Sequence, residues 1–194
     1  MIFRRWLNET LLGKTWTTIN NVNHIIGGNN DFPLTELGIK QAHDVADRLG
    51  DIDAIYSSAL NRARITAEII GEHKGVKPKV CSELNEIDFG DFKGLTFAEV
   101  KEKYYDEYMT FRNDFSNFQA PNGESVEQVK ERIKGIYEIL LHGHFDDTVA
   151  VVAHQIVIRA FVDLIFNIPD LPIRLTNTGF ITILINEDYK TFVC

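Results

Sequence analysis

From about residue 35 onward, short apolar runs alternate with longer stretches in which apolar residues return every three or four positions. The short runs read as buried strands and the periodic stretches as amphipathic helices. Their alternation predicts an α/β fold, a three-layer αβα sandwich around a mostly parallel sheet. Thr35 is placed to cap a helix running to about Leu49, with Ile39, Ala42, Val45 and Leu49 facing inward. Residues 53–57 (DAIYS) and 76–81 read as strands, and residues 61–72 as a helix with Ala63, Ala67 and Ile70 inward. Residues 96–105 read as a helix and 113–123 as a loop, punctuated by Pro121 and Gly123. Ser125 opens the clearest helix, with Val126, Val129, Ile133, Ile136 and Leu140 spaced three and four apart. Residues 147–153 (DTVAVVA) are nearly all apolar, as a strand covered on both faces requires. A helix over 156–166 and strands over 180–185 and 191–193 complete the pattern. The opening sixteen residues, which hold both tryptophans (Trp6 and Trp16), fit no element.

Composition narrows the range of functions. The chain has 194 residues, 44% of them hydrophobic, which is enough for one well-buried core. A net charge of −8 argues against any general grip on nucleic acid or acidic membrane, because the field of the whole molecule repels phosphate. An anionic ligand therefore needs a local pocket of positive groups. Two cysteines, Cys81 and Cys194, are no disulfide framework and point to a reducing, cytoplasmic compartment. No apolar run approaches the roughly 18–20 residues of a membrane span. The opening residues also lack the apolar stretch and cleavage site of a signal peptide.

In an open α/β sheet, ligand groups sit where strands end and helices begin. Three places answer to that. Ser57, Ser58 and Arg62 follow the second strand, where an arginine can fork to a phosphate beside free helix N–H groups. Taken alone, Arg62 also reads as a solvent-facing helix arginine. His154 and Gln155 end the most apolar strand, although a core histidine with its hydrogen bonds satisfied fits there too. Glu86 lies in LNEIDFGDFKG, where Phe89 and Phe92 would raise its pKa and suit it to proton donation; its plainer reading is a solvated loop residue.

Taken together, the stretches YSSALNRARITAEII, ELNEIDFGDFKGLTFAEV, NGESVEQVKERI and VAVVAHQIVIRA, preceded by NVNHIIGGNNDFPLTELGIKQA, resemble the histidine phosphatase superfamily, the phosphoglycerate mutase-like fold. The resemblance covers residues 18–185, with five motifs in order. It implies that Arg62 clamps the phosphoryl group, that Glu86 is the proton donor and that His154 is the second active-site histidine. Asn21 matches an asparagine that helps hold phosphate, and Gln155 beside His154 is similar to the fructose-2,6-bisphosphatase branch. The implied partner is a small phosphorylated metabolite, with no metal or other cofactor. Phosphatase is favoured over mutase, because only about 34 residues separate Gly90 from Glu124 and leave a short cap over residues 96–124. The aromatic side chains of its acidic segment KEKYYDEYMTFRNDFSNF are expected to pack rather than to touch substrate.

The family's chemistry starts from Arg-His-Gly-x-Thr at the end of the first strand, whose histidine attacks phosphorus. Counting back from Asn21, Thr18 matches the motif threonine. Lys14, Thr15 and Trp16 then stand where arginine, histidine and glycine belong, so the chain as written lacks its nucleophile. Three readings compete: a phosphate-binding pseudoenzyme, a substitute nucleophile in His24, and a frame error in the first 17 residues. For the third, NETLLGKTW can be encoded, with one choice among synonymous codons, as AAT GAA ACT TTA CTT GGT AAG ACA TGG. Read one base later, those bases give Met-Lys-Leu-Tyr-Leu-Val-Arg-His-Gly, with histidine at position 15, and one lost A further on restores the observed frame. Residues 1–17 are thus read as an aberrant segment and 18–194 as a single domain. On this reading the segment from Thr10 to Thr15 pairs weakly or is displaced, since burying unpaired Glu9 or Lys14 is costly. A metal site in HGHFDD (His142, His144, Asp146, Asp147) is disfavoured, because the stretch falls on a turn expected to be solvated.

Overall fold

The computed structural model describes residues 8–14, 18, 20, 23–144, 147–168, 180–185 and 190–193; of 8–14, 190–193 and all of 180–185 except Ile183, it describes the backbone alone. The elements are β1 (Asn8–Lys14), α1 (Glu36–Arg48), β2 (Ala54–Ser58), α2 (Asn61–Lys74), β3 (Lys79–Cys81), α3 (Phe97–Lys103), α4 (Tyr105–Asn113), α5 (Val126–His142), β4 (Thr148–Ala153), α6 (Gln155–Phe166), β5 (Phe180–Ile185) and β6 (Lys190–Val193). The strands form one sheet in the order β3-β2-β4-β1-β5-β6. The first four in that order run parallel, and β5 and β6 add an antiparallel edge.

β4 shows why the chain makes three layers. Val149, Val151 and Ala153 belong to the core under α5 and α6, whereas Ala150 and Val152 belong to the core under α1 and α2. Successive side chains of a strand point to opposite faces, so covering both faces demands the unbroken apolar run seen in the sequence. α5 starts at a capping box in which the Ser125 hydroxyl accepts from the Gln128 N–H and the Gln128 side chain accepts from the Ser125 N–H. Its five predicted core residues are all buried; each contributes about 1.5–3 kcal/mol if valued as a full side-chain burial.

Three local expectations need correction. Of the predicted inward face of α1, Ala42, Val45 and Leu49 are buried but Ile39 is 41% exposed, its place on the buried face being taken by Gly38, with Ala46 beside it. β3 covers only Lys79–Cys81, because the Val76 N–H closes the end of α2 on the Gly71 carbonyl and Pro78 has no N–H to give. The helix predicted over 96–105 stops at Lys103, and after a break at Tyr104 (φ −138°) a second helix, α4, follows through the unassigned stretch to Asn113.

The largest correction concerns the opening segment. β1 is not displaced: Glu9 to Lys14 lie opposite Thr148 to Ala153 of β4, and Asn8 to Gly13 opposite Ile185 to Phe180 of β5. Sheet pairing is made by backbone groups, and the gap between β4 and β5 accepts any extended chain that can supply them. Glu9 and Lys14 stand near the two ends of the strand, with Thr10, Leu11, Leu12 and Gly13 between them. Thr15 lies outside the described residues.

Candidate active site

The C-terminal ends of β2 and β4, with the loops beside them, enclose a cleft of about 230 Å³. Arg62, Glu86, His154 and Gln155 all line it, so four of the residues picked out by sequence converge. Thr18 lines it as well. Asn21, Thr15 and the side chain of Lys14 fall outside the description. His24 is exposed and is not among the lining residues. Asn20, which motif counting passed over in favour of its neighbour, lines the cleft; its side-chain oxygen accepts from the Thr18 hydroxyl at 2.5 Å and its amide donates to the Ile25 carbonyl at 3.2 Å.

Arg62 sits in the first turn of α2 and is 7% exposed. The helix start is fixed by Asp31, whose carboxylate accepts from the backbone and side-chain N–H groups of Asn61 at 2.9 and 2.5 Å. The guanidinium donates Nη1 to the Asn30 carbonyl at 2.6 Å and Nη2 to the Gly28 carbonyl at 2.8 Å. Gly28 turns that carbonyl inward from φ +53°, and a Cβ there would stand 3.0 Å from the Ile87 carbonyl oxygen. Burial lowers the Arg62 pKa, opposed by the charges of Glu86 and Asp31. An arginine starts so high that it stays charged.

Glu86 follows the one-turn helix Ser82–Leu84. It keeps a partly open face toward the cleft, yet protein surrounds its carboxylate. Burial raises its pKa, and this outweighs the Ile87 N–H (3.0 Å to Oε1), the charge of Arg62 and the Ile156 N–H at the start of α6 (3.5 Å to Oε2). A carboxyl pushed upward beside a cation has the property a proton donor needs near neutral pH. Phe89 lines the cleft as expected, whereas Phe92 is 1% exposed and belongs to the core behind it.

His154 ends β4 and is buried. Its Nε2 lies 2.8 Å from the Ser58 hydroxyl, which in turn lies 2.8 Å from Asn85 Oδ1. The polarity of this chain is forced. The Ala59 N–H at 2.9 Å requires an acceptor, so that Asn85 atom is oxygen. The Ser58 hydroxyl has one hydrogen and gives it to Asn85; Ser58 Oγ must therefore accept from His154, and Nε2 carries a proton. Ser58 Oγ also accepts from the Leu60 N–H at 3.1 Å. Arg132 anchors the far end, donating to the carbonyls of Glu83 and Asn85 and pairing with Glu124 at 2.7 Å.

The opposite wall is aromatic. Phe89, Phe97 and Phe111 face the cleft, with Phe97 and Phe111 stacked at 5.7 Å and 20°. Three aromatics thus reach the cleft, one of them, Phe111, from the stretch KEKYYDEYMTFRNDFSNF whose aromatics are expected to pack. The HGHFDD candidates serve elsewhere. His144 bridges the Tyr56 hydroxyl (2.7 Å) and Asp147 (2.8 Å), His142 pairs with Glu138 (3.2 Å), and Asp146 lies outside the description. Among the described residues no three His, Cys, Asp or Glu side chains converge as a metal would require, and no helix is long and apolar enough to cross a membrane.

A family model described as the histidine phosphatase superfamily (branch 1) matches residues 15–194. Phosphoserine phosphatase 1 of Hydrogenobacter thermophilus is 36% identical over 132 residues, 67% of this chain and 63% of that protein's own length. The metal-independent phosphoserine phosphatase of Arabidopsis thaliana is 33% identical over 160 residues, 79% of this chain and 67% of that protein. Among solved structures, Mycobacterial hydrolase 1 superposes with a TM-score of 0.89 at 25% identity, covering 97% of both chains. A mycobacterial glucosyl-3-phosphoglycerate phosphatase gives 0.85 at 26% identity, covering 92% of this chain and 90% of that one. With an α/β fold, the strand-end residues and a family match over nearly its whole length, this chain belongs to the histidine phosphatase superfamily, branch 1.

Proposed function

We propose that the cleft is a phosphomonoester hydrolase site whose nucleophile position is occupied by Thr15 in this chain. One observation carries the reading: Arg62, Glu86 and His154, from three separate segments, line a single cleft. Lys14 is paired opposite Ala153, the residue before His154, so β1 ends beside the strand end that carries His154. Arg62 and the N-terminus of α6 supply the positive field a phosphoryl group needs, in a chain of net charge −8. Ser58 accepts the Nε2 proton of His154 whether the ring is neutral or charged, so the relay tolerates an imidazolium beside phosphate. The substrate is a small phosphorylated metabolite and the compartment a reducing, cytoplasmic one, in keeping with a free Cys81. A short cap over residues 96–124 favours hydrolysis over mutase chemistry.

With histidine at position 15, its ring nitrogen forms a bond to phosphorus as the phosphorus–oxygen bond to the leaving alcohol breaks. The Glu86 carboxyl gives its proton to that oxygen. Water then adds to phosphorus, the phosphorus–nitrogen bond breaks, the Glu86 carboxylate takes a proton from the water and orthophosphate leaves. A threonine hydroxyl, which keeps its proton and is far less nucleophilic than imidazole, does not do this, so the chain as written binds phosphate esters without turning them over.

Retention of every other site residue beside one lost contiguous block favours a frame error over a pseudoenzyme that evolved as such. Reading the nucleotides across codons 8–18 tests this: bases that yield Arg-His-Gly one position later support it, and bases that cannot do so overturn it. The site itself is tested by titrating the chain with vanadate. Binding that Arg62→Ala abolishes supports a phosphate pocket, and no saturable binding contradicts one.

A further inference from the structure

We propose that the ester taken by this cleft carries an uncharged aromatic leaving group, seated against Phe97 and Phe111; this rests on the phosphate-site reading above. The cleft has two chemically distinct parts. Arg62, Glu86 and His154 are the ionisable side chains among its described lining residues, and phosphate chemistry occupies all three. The remainder of the described wall is dominated by Phe89, Phe97, Phe111 and flanking isoleucines. A leaving group with a carboxylate or an ammonium would lose water there and, among the described lining residues, meet no counter-charge. An aromatic group meets a ring stack of the offset kind that rings prefer.

The wall is braced from behind rather than loosely packed. Phe111 stands edge-on to Phe118 at 4.9 Å and 66°, and to Phe89 at 5.9 Å and 70°. Phe118 is wholly buried, whereas Phe97 is 45% exposed at the cleft. A large aromatic side chain left half-open beside a ligand cleft, stacked on a rigidly supported partner, is a platform for a flat apolar group. Phosphoserine, the substrate in the names of two relatives, has a leaving group of the opposite chemistry, with both an ammonium and a carboxylate.

Isothermal titration of the chain as written with inorganic phosphate, 1-naphthyl phosphate and O-phosphoserine tests this, since an absent nucleophile leaves the esters intact. The expected result is a Kd for naphthyl phosphate at least tenfold below those of phosphoserine and inorganic phosphate. Phe97→Ala should shrink the naphthyl-to-phosphate affinity ratio at least fivefold, as should the milder Phe97→Leu to a lesser degree. Phosphoserine binding as tightly as naphthyl phosphate, or a ratio unmoved by both variants, overturns the aromatic assignment and leaves the phosphate site standing. No binding of any of the three ligands overturns the phosphate-site reading and this inference with it.

Discussion

Ser58→Ala isolates the relay that sets the proton on His154. Ser58 is fully buried, and its hydroxyl makes bonds of 2.8 Å to His154, 2.8 Å to Asn85 and 3.1 Å from the Leu60 N–H. Removing it strands two buried donors, the Leu60 N–H and His154 Nε2–H. Asn85 Oδ1 loses less, because it keeps the Ala59 N–H. At about 1–3 kcal/mol for each stranded group, with some relief from the cleft side, the loss is about 2–3 kcal/mol. For a domain of this size that lowers the unfolding midpoint by roughly 4–12 °C. Urea unfolding gives the energy, and long-range ¹⁵N–¹H correlation of the histidine rings gives the tautomer. The parent should show His154 protonated at Nε2, and the variant should lose that fixed assignment. A variant with the same tautomer and a stability change below about 0.5 kcal/mol, the level of an unremarkable surface substitution, would refute the relay.

Glu86→Gln tests the cost of burying the carboxylate. Its folded pKa is raised, so its protonated form suits the fold, and that stability is present below the unfolded carboxyl value and lost as pH rises through the folded one. The variant should therefore unfold at higher urea than the parent at neutral pH, with the gain vanishing at acid pH; a constant difference across that window would be the wrong result. Phe118→Ala removes a fully buried ring from the cluster behind Phe111 and should cost about 3–5 kcal/mol by urea unfolding. Gly90→Ala should destabilise by more than the ~1–2 kcal/mol of a left-handed backbone alone, because its Cβ would stand 2.1 Å from the Pro121 carbonyl oxygen at φ +46°; wild-type thermal stability would contradict the turn geometry.

What could be read from the sequence was local in origin. The spacing of Val126, Val129, Ile133, Ile136 and Leu140 announces a buried helix face, and a Ser125 with Gln128 three residues on announces its start. Arg62, Glu86 and His154 were legible because motif and strand-end position agree. β1 was not, since Asn8, Glu9, Gly13 and Lys14 break the strand signal of Thr10, Leu11 and Leu12, and the pairing comes from β4 and β5, which are more than 130 residues away. The break at Tyr104 has no glycine or proline to mark it, so the fold of the α3–α4 pair that brings Phe111 onto Phe97 was hidden. The Ser58–Asn85 link joins residues 27 apart through side chains alone, and no periodicity reports such a contact.

The central claim is that this is a phosphohistidine-forming phosphatase site lacking only its first-strand motif. Its most direct test is acid-labile phosphate trapping on the triple variant Lys14→Arg, Thr15→His, Trp16→Gly beside the chain as written. With a phosphate donor, the folded triple variant should take up an acid-labile, base-stable label at position 15 and hydrolyse a generic phosphomonoester, whereas the parent does neither. A folded triple variant that stays unlabelled and inactive, or a parent that labels equally well, would contradict the account.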